Sequence, residues 1–201
     1  MENPIRTAEH LERISLRRNK LSEQLNSLIP DRSSLVWEVG CGHGHFLAAY
    51  AASHPDRLCI GVDITHDRIE RGIRKRNRAK LTNLHFIHAE ALDFLGALPS
   101  GVTFSAIYIL FPDPWPKRRH HKNRILQQDF LTTVAQRAGR GARLHFRTDH
   151  EPYFRESERI IAGHPDWQIV AEPWPFEQLT VFQSLAAQHH SLSAQRRSAG
   201  A

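Results

Sequence analysis

The chain has 201 residues, of which 40% are hydrophobic and 24% are charged, a composition that argues against disorder through most of its length and favours one folded domain with an appended arm or tail. Lys and Arg number 27 against 21 Asp and Glu, and the net charge of +6 indicates a polyanionic partner such as nucleic acid, with solubility alone as the alternative. The two cysteines are too few for a disulfide framework or a thiolate metal site, and no run approaches the roughly 18 apolar residues of a membrane span. We therefore expect a cytoplasmic protein without membrane association.

Apolar residues at helical spacing predict an amphipathic helix over about 8–28, ended by Pro30 and lying outside a regular alternation that follows. The predicted strands are 35–39, 58–62, 84–88, 104–110, 144–147 and 167–170. The predicted helices between them are 45–53, 67–78, 125–138 and 153–162. This alternation predicts an α/β fold with a mostly parallel, doubly wound sheet and helices on both faces. We divide the chain into a helical arm at 1–30, a main domain at 31–184 and a flexible, polar tail at 185–201.

The turn after the first predicted strand carries three glycines and reads E-V-G-C-G-H-G from Glu38 to Gly44. Glycines at this turn let the backbone approach a ligand closely. Asp63 ends the second strand about 20 residues further on, where a carboxylate can accept both hydroxyls of a ribose. The two features together indicate an adenosine pocket, with a ligand-free glycine turn as the alternative.

The turn departs from the dinucleotide fingerprint G-x-G-x-x-G, because Gly44 and His45 stand where a spacer and the last glycine belong. Glu38 would repel a pyrophosphate but would stabilise a cationic amino-acid moiety. The pattern E-x-G-x-G-x-G with an acid on the second strand resembles the S-adenosylmethionine loop of class I methyltransferases, with nicotinamide binding as the alternative. That resemblance implies a Rossmann-like class I methyltransferase fold, cofactor contacts at Gly40, Gly42 and Gly44, and Glu90 beside the adenine. A solvated carboxylate at a helix start is the other interpretation of Glu90.

The segment after the fourth predicted strand reads F-P-D-P-W-P-K-R-R-H-H-K from Phe111 to Lys122. Its three prolines stiffen the loop and fix the direction of Asp113 and Trp115. The cations that follow can anchor several phosphates, and a solvated face is the alternative. These cations are Lys117, Arg118, Arg119, Lys122 and Arg124.

This segment closely resembles the motif F-P-D-P-W-x-K-x-R-H-x-K of the bacterial-type tRNA (guanine-N7-)-methyltransferases. The similarity extends over about 35–153 and includes T-D-H-E-P-Y from Thr148 to Tyr153. It implies S-adenosylmethionine as cofactor, tRNA as partner and catalysis near Asp113. The implied cofactor contacts are Glu38, Asp63, Glu90 and Asp113, and the implied guanosine or RNA contacts are Lys117 and Asp149, beside the cationic Arg118 and Arg119.

The C-terminal part departs from the family pattern. Where the family carries T-K-F-E, this chain has Thr180-Val181-Phe182-Gln183, which keeps Thr and Phe but replaces Lys and Glu. We expect Thr180 and Gln183 to contact the substrate. No clear final strand is predicted after them.

The remaining charged, histidine and tryptophan residues of note are interpreted without a ligand. A cationic stripe on the helix after the second strand is predicted to be an exposed face rather than an RNA contact, and it consists of Arg68, Arg71, Arg74, Lys75 and Arg78. His43 and His45 lack further ligands at metal-site spacing, so we assign no metal. Trp167 and Trp174 are predicted to pack in the interior rather than to stack on bases.

These features predict a tRNA (guanine-N7-)-methyltransferase that transfers a methyl group from S-adenosylmethionine to N7 of a variable-loop guanosine. A methyltransferase of the same fold that acts on another RNA or on a small molecule is the first alternative. A non-catalytic scaffold that binds cofactor and RNA is the second.

Overall fold

The computed structural model describes residues 4–178 and 188–198. Within these ranges seven strands form one sheet, and six α-helices and a 3₁₀ helix surround it. The strands are β1 Ser34–Val39, β2 Leu58–Asp63, β3 Leu84–His88, β4 Thr103–Leu110, β5 Ala138–Thr148, β6 Trp167–Val170 and β7 His190–Arg196. The helices are α1 Pro4–Leu28, α2 His45–Ser53, α3 His66–Arg78, α4 Ala91–Ala97, the 3₁₀ helix Arg118–Asn123, α5 Gln128–Ala135 and α6 Glu151–Ala162. No helix in the described ranges is both long and apolar enough to cross a membrane.

The sheet has the strand order β3-β2-β1-β4-β5-β7-β6. β1 pairs in parallel with β2 on one side and β4 on the other, and β3 and β5 continue the parallel pairing outward. The winding therefore reverses between β1 and β4, which is where ligands bind in folds of this kind. The predicted α/β fold with a mostly parallel sheet is confirmed, and the carboxyl ends of the central strands share one edge.

The strand β7 corrects the prediction of a flexible tail from residue 185, which is wrong for residues 190–196. β7 runs antiparallel between β5 and β6 and pairs with both. Leu192 and Ala194 are buried in the core, and the Ser193 hydroxyl lies 2.9 Å from Nδ1 of the buried His145. Because its other residues are His, Ser, Gln and Arg, the segment has too little apolar character to be recognised as a strand from its sequence.

Two element boundaries also differ from the predictions. β5 begins at Ala138 rather than at residue 144. The prediction missed the first half of this strand because that half is polar and contains Gly139 and Gly141. α5 spans Gln128–Ala135, which is shorter than the predicted helix 125–138. Residues 124–127, directly before α5, belong to no helix.

The second half of α1 is part of the domain core rather than a separate arm. Leu21 and Leu25 are buried in the same apolar cluster as the sheet. Arg17 and Arg18 also pair with Asp93 of α4, at 3.3 and 3.2 Å. Burial of a leucine side chain contributes roughly 1.5–3 kcal/mol, so these contacts fix the end of α1 on the domain.

Aromatic residues form the centre of the core. Trp37 of β1 has its ring centroid 5.0 Å from that of Phe104 and 5.2 Å from that of Phe94. Trp167 is buried, and its Nε1 donates to the Leu131 carbonyl at 3.1 Å. The guanidinium carbon of Arg147 lies over the Trp174 ring, 4.0 Å from the ring centroid. Trp167 therefore packs in the interior, as predicted, whereas Trp174 is half-buried and packs against the core from outside.

Candidate functional site

A cavity of about 610 Å³ opens at the carboxyl edge of the sheet, where the strand order reverses. Its volume falls within the roughly 300–1,000 Å³ of small-molecule sites. Residues from four strand ends and the loops after them line it. Among them are the sequence-predicted Glu38, Gly40, Gly42, Asp63, Glu90 and Asp113. The structure thus brings together side chains that lie up to 75 positions apart in the sequence.

The glycine turn forms one wall of the cavity. Gly40 and Gly42 have φ angles of +68° and +54°, and a Cβ added to either would meet no atom of the described chain within 4 Å. Residues with a side chain rarely adopt this left-handed backbone conformation, and glycine adopts it without steric cost. The backbone is therefore bare on the side where a ligand would lie.

Asp63 holds this turn in place. Its side chain is buried, and its Oδ2 accepts from the Gly42 amide at 2.9 Å while Oδ1 accepts from the Thr65 amide at 2.8 Å. Arg68 of α3 lies 3.7 Å from the same Oδ2. Each carboxylate oxygen has a second lone pair, so Asp63 can still accept from a ligand. Its structural role in the turn was not predicted from sequence.

Gly44 has a different role from the other two glycines. It has a φ of +66° and precedes α2, and a Cβ on it would lie 2.3 Å from Cζ of Phe86. Such a contact is far below van der Waals distance. The buried Phe86 ring of β3 therefore explains the need for glycine at this position, without any contact to a ligand.

Glu38 is the most unusual group in the cavity. It is 4% exposed, and its Oε2 has no hydrogen-bond partner among the described residues. Burial raises the pKa of Glu38 well above its usual value, and the nearby Asp63 raises it further, against a backbone hydrogen bond from Leu47 that lowers it. A buried carboxyl oxygen without a partner is costly, so the site is suited to a cationic ligand that would supply a partner for Oε2.

The mouth of the cavity is partly apolar. Ile64, which follows β2, and Leu92 of α4 are 70% and 55% exposed, and both line the cavity. Glu90, the exposed residue before α4, also lines the cavity. Two exposed aliphatic side chains beside a carboxylate fit a flat heterocycle with polar edges. The sequence predicted Glu90 here but not the two aliphatic residues.

The proline-rich loop forms the opposite wall. Asp113 and Trp115 both line the cavity. Phe111 and Trp115 have positive φ angles of 49° and 44°, which are uncommon for residues other than glycine. The Phe111 amide donates to the Arg147 carbonyl at 2.8 Å, which joins the loop to the end of β5. The loop therefore holds Asp113 between two residues with strained backbone conformations.

The cations after this loop separate into two groups. Lys117, Arg118 and Arg119 are exposed at the start of the 3₁₀ helix, so they are open to a polyanion. Arg124 is 2% exposed and pairs with Glu156 of α6. The predicted phosphate contact is therefore wrong for Arg124, which the sequence alone could not distinguish from its exposed neighbours.

The stripe on α3 is only partly the exposed face that was predicted. Arg68, Arg71, Arg74 and Arg78 are exposed, as predicted, and Lys75 is half-buried. Arg68 lines the cavity, and the Lys75 ammonium donates to the His43 carbonyl at 2.9 Å. Burial lowers the pKa of Lys75. Arg68 and Lys75 therefore stabilise the glycine turn, Arg68 through Asp63 and Lys75 through the His43 carbonyl.

The remaining predicted residues lie at the edge of the site or outside the described ranges. Asp149 is exposed and directly follows β5, next to the strand that carries the proline-rich loop. Thr180 and Gln183 lie outside the described residues. His43 and His45 have ring centroids 6.3 Å apart. No group of three or more His, Cys, Asp or Glu suited to a metal ion occurs in the described part of the chain.

Comparison with solved structures supports the fold. An rRNA methylase from Streptococcus thermophilus is 12% identical with a TM-score of 0.56, and the match covers 90% of this chain and 94% of that one. The antibiotic-resistance methyltransferase Kmr is 18% identical with a TM-score of 0.57, covering 89% and 94%. At these identities the likeness shows the fold alone.

Sequence comparison identifies the family. The family described as putative methyltransferase matches residues 32–196. A tRNA (guanine-N(7)-)-methyltransferase of Streptomyces avermitilis is 33% identical over 144 residues, covering 72% of this chain and 50% of the relative. One of Treponema pallidum is 36% identical over 143 residues, covering 70% and 57%. One of Chromohalobacter salexigens is 31% identical over 170 residues, covering 81% and 69%.

The chain spans about half the length of the Streptomyces relative, and the Chromohalobacter relative is matched over more than two thirds of its length. The family match includes β7, which the sequence analysis did not predict. The chain therefore belongs to the tRNA (guanine-N7-)-methyltransferase family.

Proposed function

We propose that this chain binds S-adenosylmethionine in the cavity and transfers its methyl group to N7 of a guanosine in the variable loop of tRNA. The observation that carries the proposal is the placement of two walls around one cavity. The glycine turn with Glu38 forms one wall, and the strained loop with Asp113 and Trp115 forms the other. A donor held by the first wall and a base held by the second would meet between them.

The residues present fit this cofactor. The unpartnered Oε2 of Glu38 matches a cationic α-amino group, and Asp63 retains lone pairs for ribose hydroxyls. Ile64 and Leu92 can cover the faces of an adenine while Glu90 accepts from its amino edge. When bound, the cofactor supplies an electrophilic methyl group on a sulfonium centre.

The chemistry places few demands on acid or base groups. Guanine N7 has an in-plane lone pair that carries no proton at neutral pH, so no base is needed before attack. With the cofactor bound, N7 would form a bond to the methyl carbon, the carbon–sulfur electron pair would leave with sulfur, and the purine would become cationic. The protein must align the two centres and stabilise the positive charge. Asp113 suits both roles, as a carboxylate that can also accept from the N1 and N2 edge of guanine.

The substrate side of the proposal involves the exposed cations beyond the loop. Lys117, Arg118 and Arg119 would neutralise phosphates, which provides affinity but little sequence information. Asp149, Thr180 and Gln183 are the proposed contacts to the target nucleoside. Choice of guanosine would then depend on tRNA shape and on an unstacked loop base. Because tRNA is cytoplasmic, we propose the same location for the reaction.

Incubation of the purified chain with cofactor labelled in the methyl group and with unmodified bulk tRNA tests this proposal. We expect labelled 7-methylguanosine after digestion to nucleosides. Label in a different nucleoside or in a small molecule would support a methyltransferase of other specificity. Binding of both ligands without any transfer would support a scaffold.

A further inference from the structure

Arg124 differs from the other cations of its segment by being buried. Lys117, Arg118, Arg119 and Lys122 are exposed, whereas Arg124 is 2% exposed. Burying a guanidinium is costly unless charge and hydrogen-bonding groups compensate it. Its partners therefore indicate what the side chain does.

Three contacts surround the Arg124 guanidinium and join two parts of the molecule. Its Nε donates to the Pro114 carbonyl at 2.8 Å, and Nη1 pairs with the Glu156 carboxylate of α6. The guanidinium carbon lies 4.7 Å from the centroid of the Tyr153 ring, also on α6. The Tyr153 hydroxyl in turn accepts from the Leu126 amide at 3.2 Å. One side chain thus links the loop carbonyl next to Asp113 to a helix of the domain.

The loop needs such a link for two reasons. Its prolines at 112, 114 and 116 have no N–H, so they cannot donate backbone hydrogen bonds. Phe111 and Trp115, on either side of Asp113, have positive φ angles, and such conformations persist only where surrounding contacts impose them. Pro114 lies directly between Asp113 and Trp115, and its carbonyl is held by Arg124.

We propose that Arg124 is a positioning residue that fixes the Pro112–Trp115 backbone against α6 and thereby sets the place of Asp113 in the cavity. The proposal rests on the proposed function for its effect on methyl transfer, but its structural part is independent of that function. Lys cannot replace Arg here, because an ammonium lacks the planar fork that reaches a carbonyl and a carboxylate together.

Arg124→Lys is the main test. We expect its single-turnover methyl-transfer rate, at saturating cofactor and tRNA, to fall roughly 10- to 100-fold, since a misplacement of about 1 Å can cost about 100-fold. Calorimetric affinity for cofactor should change less than about 3-fold, because Arg124 does not line the glycine-turn wall. In an Asp113→Asn background the same substitution should lower the rate less than about 3-fold, since Arg124 acts through Asp113.

Arg137→Lys is the matched control. The Arg137 guanidinium donates to the carbonyls of Leu98, Pro99 and Ser100 at the opposite edge of the sheet. The Arg137→Lys substitution should lower the melting temperature, and it should leave the transfer rate unchanged at a temperature where the protein is folded. Should Arg124→Lys not fold, Glu156→Gln weakens the same link while keeping Arg124, and a smaller loss in the same direction is expected.

Amide hydrogen exchange separates this proposal from the proposed function. Peptides covering 111–123 should exchange about 10-fold faster in Arg124→Lys than in the unmutated protein, and Arg137→Lys should leave them unchanged. Unaltered exchange in this segment would overturn the proposal, and so would rate losses that add independently of Asp113→Asn. Failure of the unmutated chain to methylate tRNA would instead overturn the proposed function, while the exchange data would still decide the role of Arg124.

Discussion

Replacing Glu38 by Gln should have opposite effects on ligand affinity and on the stability of the free protein. The substitution keeps the size of the side chain and removes its ability to ionise. If the cationic amino group of the cofactor binds the unpartnered Oε2, the variant loses a charge-assisted hydrogen bond. Such bonds contribute roughly 1.5–3 kcal/mol, which corresponds to about a 10- to 150-fold weaker dissociation constant.

The effect on stability follows from the direction of the pKa shift. Burial raises the pKa of Glu38 above its usual value in the folded protein. In the unfolded chain the pKa of a glutamate is about 4.3. The folded state therefore binds the proton more tightly, so the unmutated protein loses stability as pH rises from the unfolded pKa through the folded one. Glu38→Gln should melt at a progressively higher temperature than the unmutated protein as pH rises from 5 to 8, with little difference near pH 4.

Titration calorimetry and thermal melts measure the two effects. At a pH below the raised pKa of Glu38, binding of a cation should release a proton, so the observed heat should depend on the ionisation enthalpy of the buffer. Glu23→Gln, an exposed change on α1, is the matched control and should show no pH-dependent gain. Equal cofactor affinity in Glu38→Gln, with a melting difference that does not vary with pH, would refute the assignment of Glu38.

Three further predictions concern the other parts of the site. Asp113→Asn should slow single-turnover transfer about 100- to 1,000-fold, the cost of roughly 2.7–4 kcal/mol of lost electrostatic stabilisation, and a near-normal rate would remove Asp113 from the mechanism. Replacing Arg118 and Arg119 together by Ala should weaken tRNA binding and reduce the slope of log K against log salt by about 0.7–0.9 for each phosphate that the variant no longer neutralises, with cofactor affinity as the control. Gly42→Ala should impair cofactor binding, because residue 42 has a φ of +54° that alanine rarely adopts. Gly96→Ala, in open space on α4, is the control and should stabilise the protein by roughly 0.5–1 kcal/mol. Equal cofactor affinity in both variants would contradict the role of the turn.

The sequence was sufficient to predict most of the sheet, because its central strands are apolar runs separated by helical periods and turn residues. It failed at β7, where Leu192 and Ala194 are the only apolar residues and the others are His, Ser, Gln and Arg. That strand is stabilised by pairing on both sides, which depends on distant residues rather than on its own composition.

The predicted site residues were located mainly through spacing and motif, and the structure places Glu38, Asp63 and Asp113 around one cavity. Sequence could not separate Arg124 from exposed cations a few positions away, because its burial depends on Glu156 of α6. It also gave no reason for Gly44 beyond the turn, since the contact that requires glycine there comes from Phe86 on another strand.

A pair of tRNA transcripts tests the central claim most directly. One carries guanosine at the target position of the variable loop, and the other carries 7-deazaguanosine, which differs by a carbon in place of N7. We expect transfer of about one labelled methyl group to the first transcript and none to the second, at equal binding of both. Equal methylation of the two transcripts, or of neither, would contradict the assignment of this chain as a guanine-N7 methyltransferase acting on tRNA.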